Sequence, residues 1–211
     1  MEFFLFALEL IGTVAFAISG ALTGIKKEMD LLGVIILGLT TAVGGGVLRD
    51  LILGLTPPKT FQDPTCALIA MTTSLIVFLV CALRKHTRGQ RLLLVMDAVG
   101  LGIFTVNGIS VAINCSQDYR IMLLLFVGVL TGVGGGVVRD VLAGDRPYIF
   151  IKHIYACASV VGALVYLFSK NYIPEIWSIC LSIAATVVIR VLSSYFHWNL
   201  PKASLSDHVF H

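Results

Sequence analysis

The sequence predicts an all-α integral membrane protein with seven transmembrane helices, six of which form a 3+3 inverted repeat. Three observations support this fold class. The 211 residues have a mean hydropathy of +0.94, and only 13% of them are charged, which is about half the share in a soluble domain. Apolar stretches of about 20 residues, the length of a helix that crosses a bilayer, recur along the chain. The second half of the chain also resembles the first.

Seven apolar stretches are long enough to span, and short polar or proline-containing loops separate them. The first is predicted to be a transmembrane helix rather than a cleaved signal, because Glu2 stands where a signal leader is basic and the apolar run is too long. The predicted spans are residues 3–24, 31–54, 66–83, 92–114, 120–144, 152–169 and 174–196. We expect a single membrane domain over residues 1–211, with repeat 1 near 3–86, repeat 2 near 92–170 and the seventh helix near 174–196.

Basic residues concentrate in the loops that follow the odd-numbered spans. These loops and the C-terminal tail hold Lys26, Lys27, Arg84, Lys85, Arg88, Arg91, Arg146 and Lys202. The opposite side holds mainly Lys59, Arg120 and Lys170. Since cytoplasmic loops are enriched in Lys and Arg, we expect the N-terminus outside and the C-terminus in the cytoplasm. The net charge of +3 needs no nucleic-acid partner; the expected partner is the lipid bilayer.

The strongest signal is a ten-residue segment that occurs twice, ninety positions apart. Thr41–Asp50 has the sequence TAVGGGVLRD, and Thr131–Asp140 has the sequence TGVGGGVVRD. Upstream, residues 16–20 match residues 104–108. Each repeat holds three spans, and an odd number of spans inverts the second copy in the membrane. Many transporters have this plan, with their sites near the membrane midplane.

Three consecutive glycines lie in the middle of the second and of the fifth span. We expect both helices to be broken there, because each glycine weakens a helix by about 1 kcal/mol relative to alanine. A break exposes carbonyl oxygens that suit a dehydrated cation and N–H groups that suit a carboxylate, so the motif alone does not choose the ligand. Close packing of helices is the alternative explanation. The glycines are Gly44, Gly45, Gly46, Gly134, Gly135 and Gly136.

An arginine and an aspartate follow each glycine triplet, at depths where an unpaired charge is costly. They are Arg49 and Asp50 towards the outer face, and Arg139 and Asp140 towards the cytoplasm. Adjacent helical residues point to different faces, so we expect each charge to have its own partner. Glu9 shares the depth of the first arginine, and Asp97 shares that of the second. We therefore predict two ion pairs, Glu9–Arg49 and Asp97–Arg139.

Other polar residues at these depths are candidates to line a pore, although Ser and Thr hydroxyls often bond to carbonyls of their own helix. They are Ser19, Thr41, Asn107 and Thr131. The five cysteines are scattered and lack the CxxC spacing, so we expect neither a disulfide framework nor a metal site. No nucleophile–base set or phosphate-binding loop indicates an enzyme, and no cofactor is expected.

The pair of GGGxxRD motifs in a seven-span chain resembles the prokaryotic trimeric intracellular cation (TRIC) channel family. That family overlaps bacterial inner-membrane proteins that carry a glycine-transporter domain. The resemblance covers nearly the whole chain and implies a homotrimer in a bacterial or archaeal inner membrane. It implies one hourglass pore in each protomer, lined by spans one, two, four and five and selective for K⁺. It matches the glycine triplets to helix kinks at the constriction, and the Arg–Asp pairs to the charged residues after the kinks.

The function expected first is therefore a monovalent cation channel that passes K⁺, and Na⁺ less well. Carbonyls at the kinks would replace part of the hydration shell, and Asp50 and Asp140 would attract cations at the two mouths. Arg49 and Arg139 would hold the helices or gate the path. The alternative is a secondary transporter of glycine or another small zwitterion, with its amine on either aspartate. A membrane scaffold without a permeant is the third possibility.

Overall fold

The structure is a computed structural model, and it describes residues 1–83, 89–115, 120–151, 154–196 and 198. Over these residues the chain forms helices joined by short loops, which confirms the all-α class. In chain order the helices are α1 (Glu2–Lys26), α2 (Leu31–Ile52), α3 (Lys59–Gln62), α4 (Thr65–Leu83), α5 (Gly89–Cys115), α6 (Ile121–Leu142), α7 (Tyr148–Ile151), α8 (Ile154–Ser169) and α9 (Glu175–Tyr195).

The seven long helices match the seven predicted spans. The largest difference is three residues, at the start of α5, where the helix begins at Gly89 and the predicted span at residue 92. Six of these helices are long and apolar enough to cross a bilayer, so the chain is an integral membrane protein. The remaining one, α8, has 16 residues and is shorter than these six. The number of crossings thus stays a prediction.

The helices pack as two equivalent groups of three plus one. In the first group α1 packs against α2 and α4, and in the second group α5 packs against α6 and α8. The groups meet through α1 against α5 and α2 against α6. The last helix, α9, lies outside the repeat and packs against α5 and α8. This arrangement is the 3+3+1 plan that the doubled motif predicts.

α2 and α6 end alike because each is followed by a glycine in the left-handed conformation. Gly54 has a φ of +73° and Gly144 a φ of +71°, values that cost other residues steric strain. One residue further on, the chain turns back to the last aspartate of the helix. Leu55 N donates to Asp50 O at 2.8 Å, and Asp145 N donates to Asp140 O at 2.9 Å. The turn directs the chain into α3 after α2 and into α7 after α6.

The loops that follow α1 and α6 lie at the same end of the bundle. Lys27 Nζ and Asp145 Oδ1 are 2.6 Å apart, and Lys26 and Arg91 line one cavity at this end. The basic loop residues that the structure describes therefore share one side, as predicted. The remaining basic residues of that prediction, Arg84, Lys85, Arg88 and Lys202, lie outside the described residues. Which end faces the cytoplasm stays a prediction.

The glycine triplets do not break their helices, since α2 and α6 are helical throughout. The predicted breaks are wrong in this structure, and close packing of the two helices accounts for Gly45 and Gly135. A Cβ atom added at Gly45 would overlap the Thr131 carbonyl oxygen, and one added at Gly135 would overlap the Thr41 carbonyl oxygen. The two backbones touch reciprocally at this crossing, as small residues allow. Packing therefore stabilises helix where local propensity disfavours it.

Candidate functional site

Two phenylalanines at equivalent positions meet where the repeats pack together. Phe16 of α1 and Phe104 of α5 stack with ring centroids 5.2 Å apart and an interplanar angle of 23°. Both are buried. Phe16 packs against Gly100, and Phe104 packs against Gly12. Each ring therefore contacts a glycine of the other repeat. Sequence matching aligned the two rings, but nothing in the sequence indicates that they touch.

Each arginine that follows a glycine triplet bonds to the aspartate beside it. Arg49 Nε and Nη2 both lie 2.8 Å from Asp50 Oδ1. Arg139 Nε and Nη2 lie 2.9 Å and 2.8 Å from Asp140 Oδ1. The expectation that these neighbours need separate partners is wrong, because the long arginine side chain reaches around the helix to the adjacent carboxylate.

The second oxygen of each aspartate binds the first N–H of the short helix that follows. Asp50 Oδ2 accepts from Lys59 N at 2.9 Å, and Asp140 Oδ2 accepts from Tyr148 N at 2.8 Å. A carboxylate at this place satisfies a helix donor that lacks a partner in its own helix. Both aspartates are buried and use both oxygens, so neither carboxylate faces a mouth where it would attract cations. They anchor α3 and α7.

The last nitrogen of each arginine bonds across to the other repeat. Arg49 Nη1 donates to Asn107 Oδ1 at 3.3 Å, and Arg139 Nη1 donates to Ser19 Oγ at 2.5 Å. Ser19 and Asn107 occupy equivalent positions, so the two links are reciprocal. The two residues were predicted to line a pore; here they hold the arginines and thereby connect the repeats.

The two threonines that were also predicted to line a pore bond to their own helices. Thr41 Oγ1 donates to Leu37 O at 2.5 Å, and Thr131 Oγ1 donates to Val127 O at 2.6 Å. Both threonines are fully buried. Their hydroxyl protons are therefore taken up by helix carbonyls, the common arrangement for threonine inside apolar helices.

Of the two predicted ion pairs, one is present. Arg139 Nη1 lies 2.5 Å from Asp97 Oδ1. The pair between Glu9 and Arg49 is not formed, because Glu9 Oε2 lies 3.3 Å from Lys59 Nζ instead. The second repeat has Tyr148 at the place of Lys59. A competing cation is thus available only to Glu9, and this difference explains why only one prediction is correct.

Two residues that the sequence analysis did not single out extend the second network. Arg190 of α9 is 3% exposed, and its guanidinium carbon lies 4.8 Å from the centroid of the Tyr155 ring. Tyr155 is 1% exposed and contacts the Tyr148 ring edge-on, with centroids 6.5 Å apart. A lone arginine within an apolar span was the available signal, since such a charge is costly and usually functional.

Two cavities approach the stacked phenylalanines from opposite ends. The larger, of about 890 Å³, lies among α1, α5 and α9 and reaches Asp97 and Arg190. The smaller, of about 20 Å³, lies at the other end and is lined by Glu9 and Phe104, among others. Asp97, in the lining of the larger cavity, lies one helical turn before Gly100, on which the Phe16 ring packs.

An inverted repeat of membrane helices with a charged network on either side of an apolar centre defines the class of this protein, an integral membrane protein of the inverted-repeat type. The family model described as Glycine transporter matches residues 6–82 and 94–171, segments that coincide with the two repeats. The chain belongs to this family.

Bacterial relatives match over almost their entire length. The UPF0126 inner membrane protein YadS of Escherichia coli K12 is 38% identical over 206 residues, which cover 95% of this chain and 96% of YadS. The UPF0126 membrane protein YvgT of Bacillus subtilis 168 is 35% identical over 198 residues, which cover 93% of this chain and 95% of YvgT.

Solved TRIC channel structures have the same fold. A prokaryotic TRIC channel crystallised in 0.5 M KCl superimposes with a TM-score of 0.87 at 32% identity, covering 95% of this chain and 100% of that chain. The TRIC orthologue from Rhodobacter sphaeroides gives a TM-score of 0.85 at 31% identity, covering 92% and 98%. The fold predicted from the doubled motif is thereby confirmed.

Proposed function

We propose that this chain forms a monovalent cation channel in a bacterial inner membrane, as a homotrimer with one path in each protomer. The observation that carries the proposal is its similarity to solved TRIC cation channels, at 31–38% identity over 92–95% of the chain. The permeant ion is K⁺, with Na⁺ passing less well. The N-terminus lies outside and the E. coli relative's name supports the inner membrane.

The proposed path runs between the repeats and is closed in this structure. It leads from the larger cavity past Asp97 and Arg139 to the stacked phenylalanines, and from there to the smaller cavity. α1, α2, α5 and α6 surround it. The glycine carbonyls here belong to continuous helices. Separation of α2 and α6 at Gly45 and Gly135 would expose these carbonyls to an ion.

Reconstitution tests this proposal directly. The purified protein in a planar bilayer should give unitary currents in KCl, smaller ones in NaCl, and a reversal potential that follows the cation gradient. Protein-free bilayers are the control. A transporter of glycine or a similar zwitterion would instead give saturable uptake of labelled glycine into vesicles without unitary currents, and a scaffold would give neither. Either result would contradict the channel.

Replacing Phe104 with alanine should increase the unitary current, because an apolar constriction excludes water and ions. The substitution should also lower the free energy of unfolding by about 3–5 kcal/mol, as for other buried phenylalanines. Single-channel recording and thermal unfolding in detergent measure the two effects. Phe126→Ala is the matched control, since Phe126 is 55% exposed on α6; its currents should equal those of the wild type. A folded Phe104→Ala protein with wild-type currents excludes this constriction.

A further inference from the structure

The two charged networks are balanced differently. Around α3, two cations face two carboxylates: Arg49 pairs with Asp50, and Lys59 pairs with Glu9. In the equivalent network near α7, the described residues place Asp97 and Asp140 both against Arg139. Tyr148 stands where the first network has Lys59, and its backbone makes the same bond to an aspartate. Among the described residues, the ion pairs of the second repeat therefore contain one carboxylate more than cations.

A further buried cation lies nearby, on the helix outside the repeat. Arg190 of α9 is 3% exposed and lines the same cavity as Asp97. Its guanidinium stacks on Tyr155, which touches Tyr148 edge-on; the Arg139 guanidinium carbon lies 5.3 Å from the Tyr148 ring centroid. Counting Arg190, the described residues around α7, the inner network, hold two buried cations and two buried carboxylates. Neutrality matters here because an uncompensated buried charge is strongly destabilising.

Tyr155 also distinguishes the two halves of the path. It packs on Gly136, whose counterpart in the first repeat, Gly46, lines the smaller cavity together with Cys66. In the second repeat the Tyr155 ring fills the equivalent space, and its hydroxyl would contact a Cβ added at Gly136. The inner half of the path therefore contains a side chain where the outer half contains a cavity.

Unsatisfied hydrogen bonds concentrate at this place. Among the described residues, Asp97 Oδ2, Tyr155 Oη and Arg190 Nε are buried atoms without a hydrogen-bond partner. Buried polar groups in native proteins are almost always bonded, so such atoms call for an explanation. These three atoms can therefore accept bonds from, or donate them to, water or an ion that enters the path.

We propose that Arg190 is a positioning residue for permeation: it supplies the second cation of the inner network and holds Tyr155 across the path. This inference rests on the proposed channel function. It assigns a role to α9, since a shift of this helix away from α8 removes the cation from the Tyr155 ring and releases the ring from the path.

Variants that remove the cation at Arg190 and place one at position 148 test the proposal. Arg190→Gln should lower the Tm and raise the open probability by about tenfold, equivalent to about 1.4 kcal/mol. Adding Tyr148→Lys should raise the Tm of the Arg190→Gln protein, because it places a cation where the first repeat has Lys59. The same Tyr148→Lys change in the wild type should lower the Tm, because it adds a third cation. Arg120→Gln, which removes an exposed arginine, is the matched control.

The measurements distinguish failure of the charge balance, of the role in permeation and of the channel function. If Arg190→Gln matches Arg120→Gln in Tm, or if Tyr148→Lys has the same effect in both backgrounds, the charge balance is refuted. If the Tm values behave as expected but the open probability of Arg190→Gln stays at the wild-type value, the role in permeation is refuted. If Arg190→Gln does not fold, Arg190→Lys and the double variant should fold, and their failure also refutes the proposal. Absence of wild-type currents refutes the channel and leaves the Tm comparison valid.

Discussion

Alanine at Gly45 or Gly135 is expected to disrupt the crossing of α2 and α6 and to abolish wild-type currents. The added methyl group meets a backbone carbonyl of the opposite helix, which cannot rotate away as a side chain can. Overpacking of this kind costs typically 1–3 kcal/mol and occasionally more. Thermal unfolding in detergent should show a clearly lower Tm, and bilayer recording should show altered or absent currents.

The outer glycines of the first triplet provide the control. A Cβ added at Gly44 would lie 3.5 Å from Val138 Cγ2, and one at Gly46 would lie 3.8 Å from Arg49 Nη2; both are ordinary contacts. Alanine at either position should therefore be neutral or stabilising by up to about 1 kcal/mol, its advantage over glycine in a helix. Equal losses at all three positions of the triplet would show that the glycines serve a helix break and not the crossing.

Arg139→Gln should be the most destabilising neutralisation in the charged networks. It leaves Asp97 and Asp140 buried without their shared cation, and breaking a buried ion pair costs about 3–5 kcal/mol. Arg49→Gln should cost less, because it removes the cation from Asp50 alone while Glu9 keeps Lys59. Thermal unfolding of the two variants measures the difference.

A second substitution makes this prediction specific. Asp97→Asn should raise the Tm of the Arg139→Gln protein, because it removes one of the two carboxylates that have lost their contact with Arg139. In the wild type the same change should lower the Tm, because it breaks the contact with Arg139. Additive effects on the Tm in the two backgrounds would mean that the two residues do not interact. The ion pair between Asp97 and Arg139 would then make no contribution to stability.

The sequence predicts the helices and their inverted arrangement well, because both follow from local or repeated patterns. Apolar length gives the spans to within three residues, the largest difference being at Gly89. The doubled motif gives the equivalence of the two groups of helices. Asp97 and Arg139 could be paired because an intramembrane charge needs a partner at its own depth, and register gives the depth.

The predictions are wrong where contacts between helices, or the length of a side chain, determine the structure. Local propensity predicts a break at three glycines, but contact with the opposite backbone keeps the helices intact at Gly45 and Gly135. Register shows that Glu9 and Arg49 share a depth, but not that Lys59, on a short helix after a turn, lies nearer. The role of Arg190 depends on a helix outside the repeat, so no comparison of the two repeats could find it.

The reciprocal bonds from Arg49 to Asn107 and from Arg139 to Ser19 have a consequence for how such a chain arose. Each half of the molecule provides a donor for the other half and an acceptor in return, in addition to the bond between each arginine and the aspartate of its own half. Two separate copies of one half, inserted in opposite directions, would supply each other's bonds. The duplicated chain thus keeps the chemistry of an antiparallel dimer, and Arg190, on the helix outside the repeat, makes its two sides unequal.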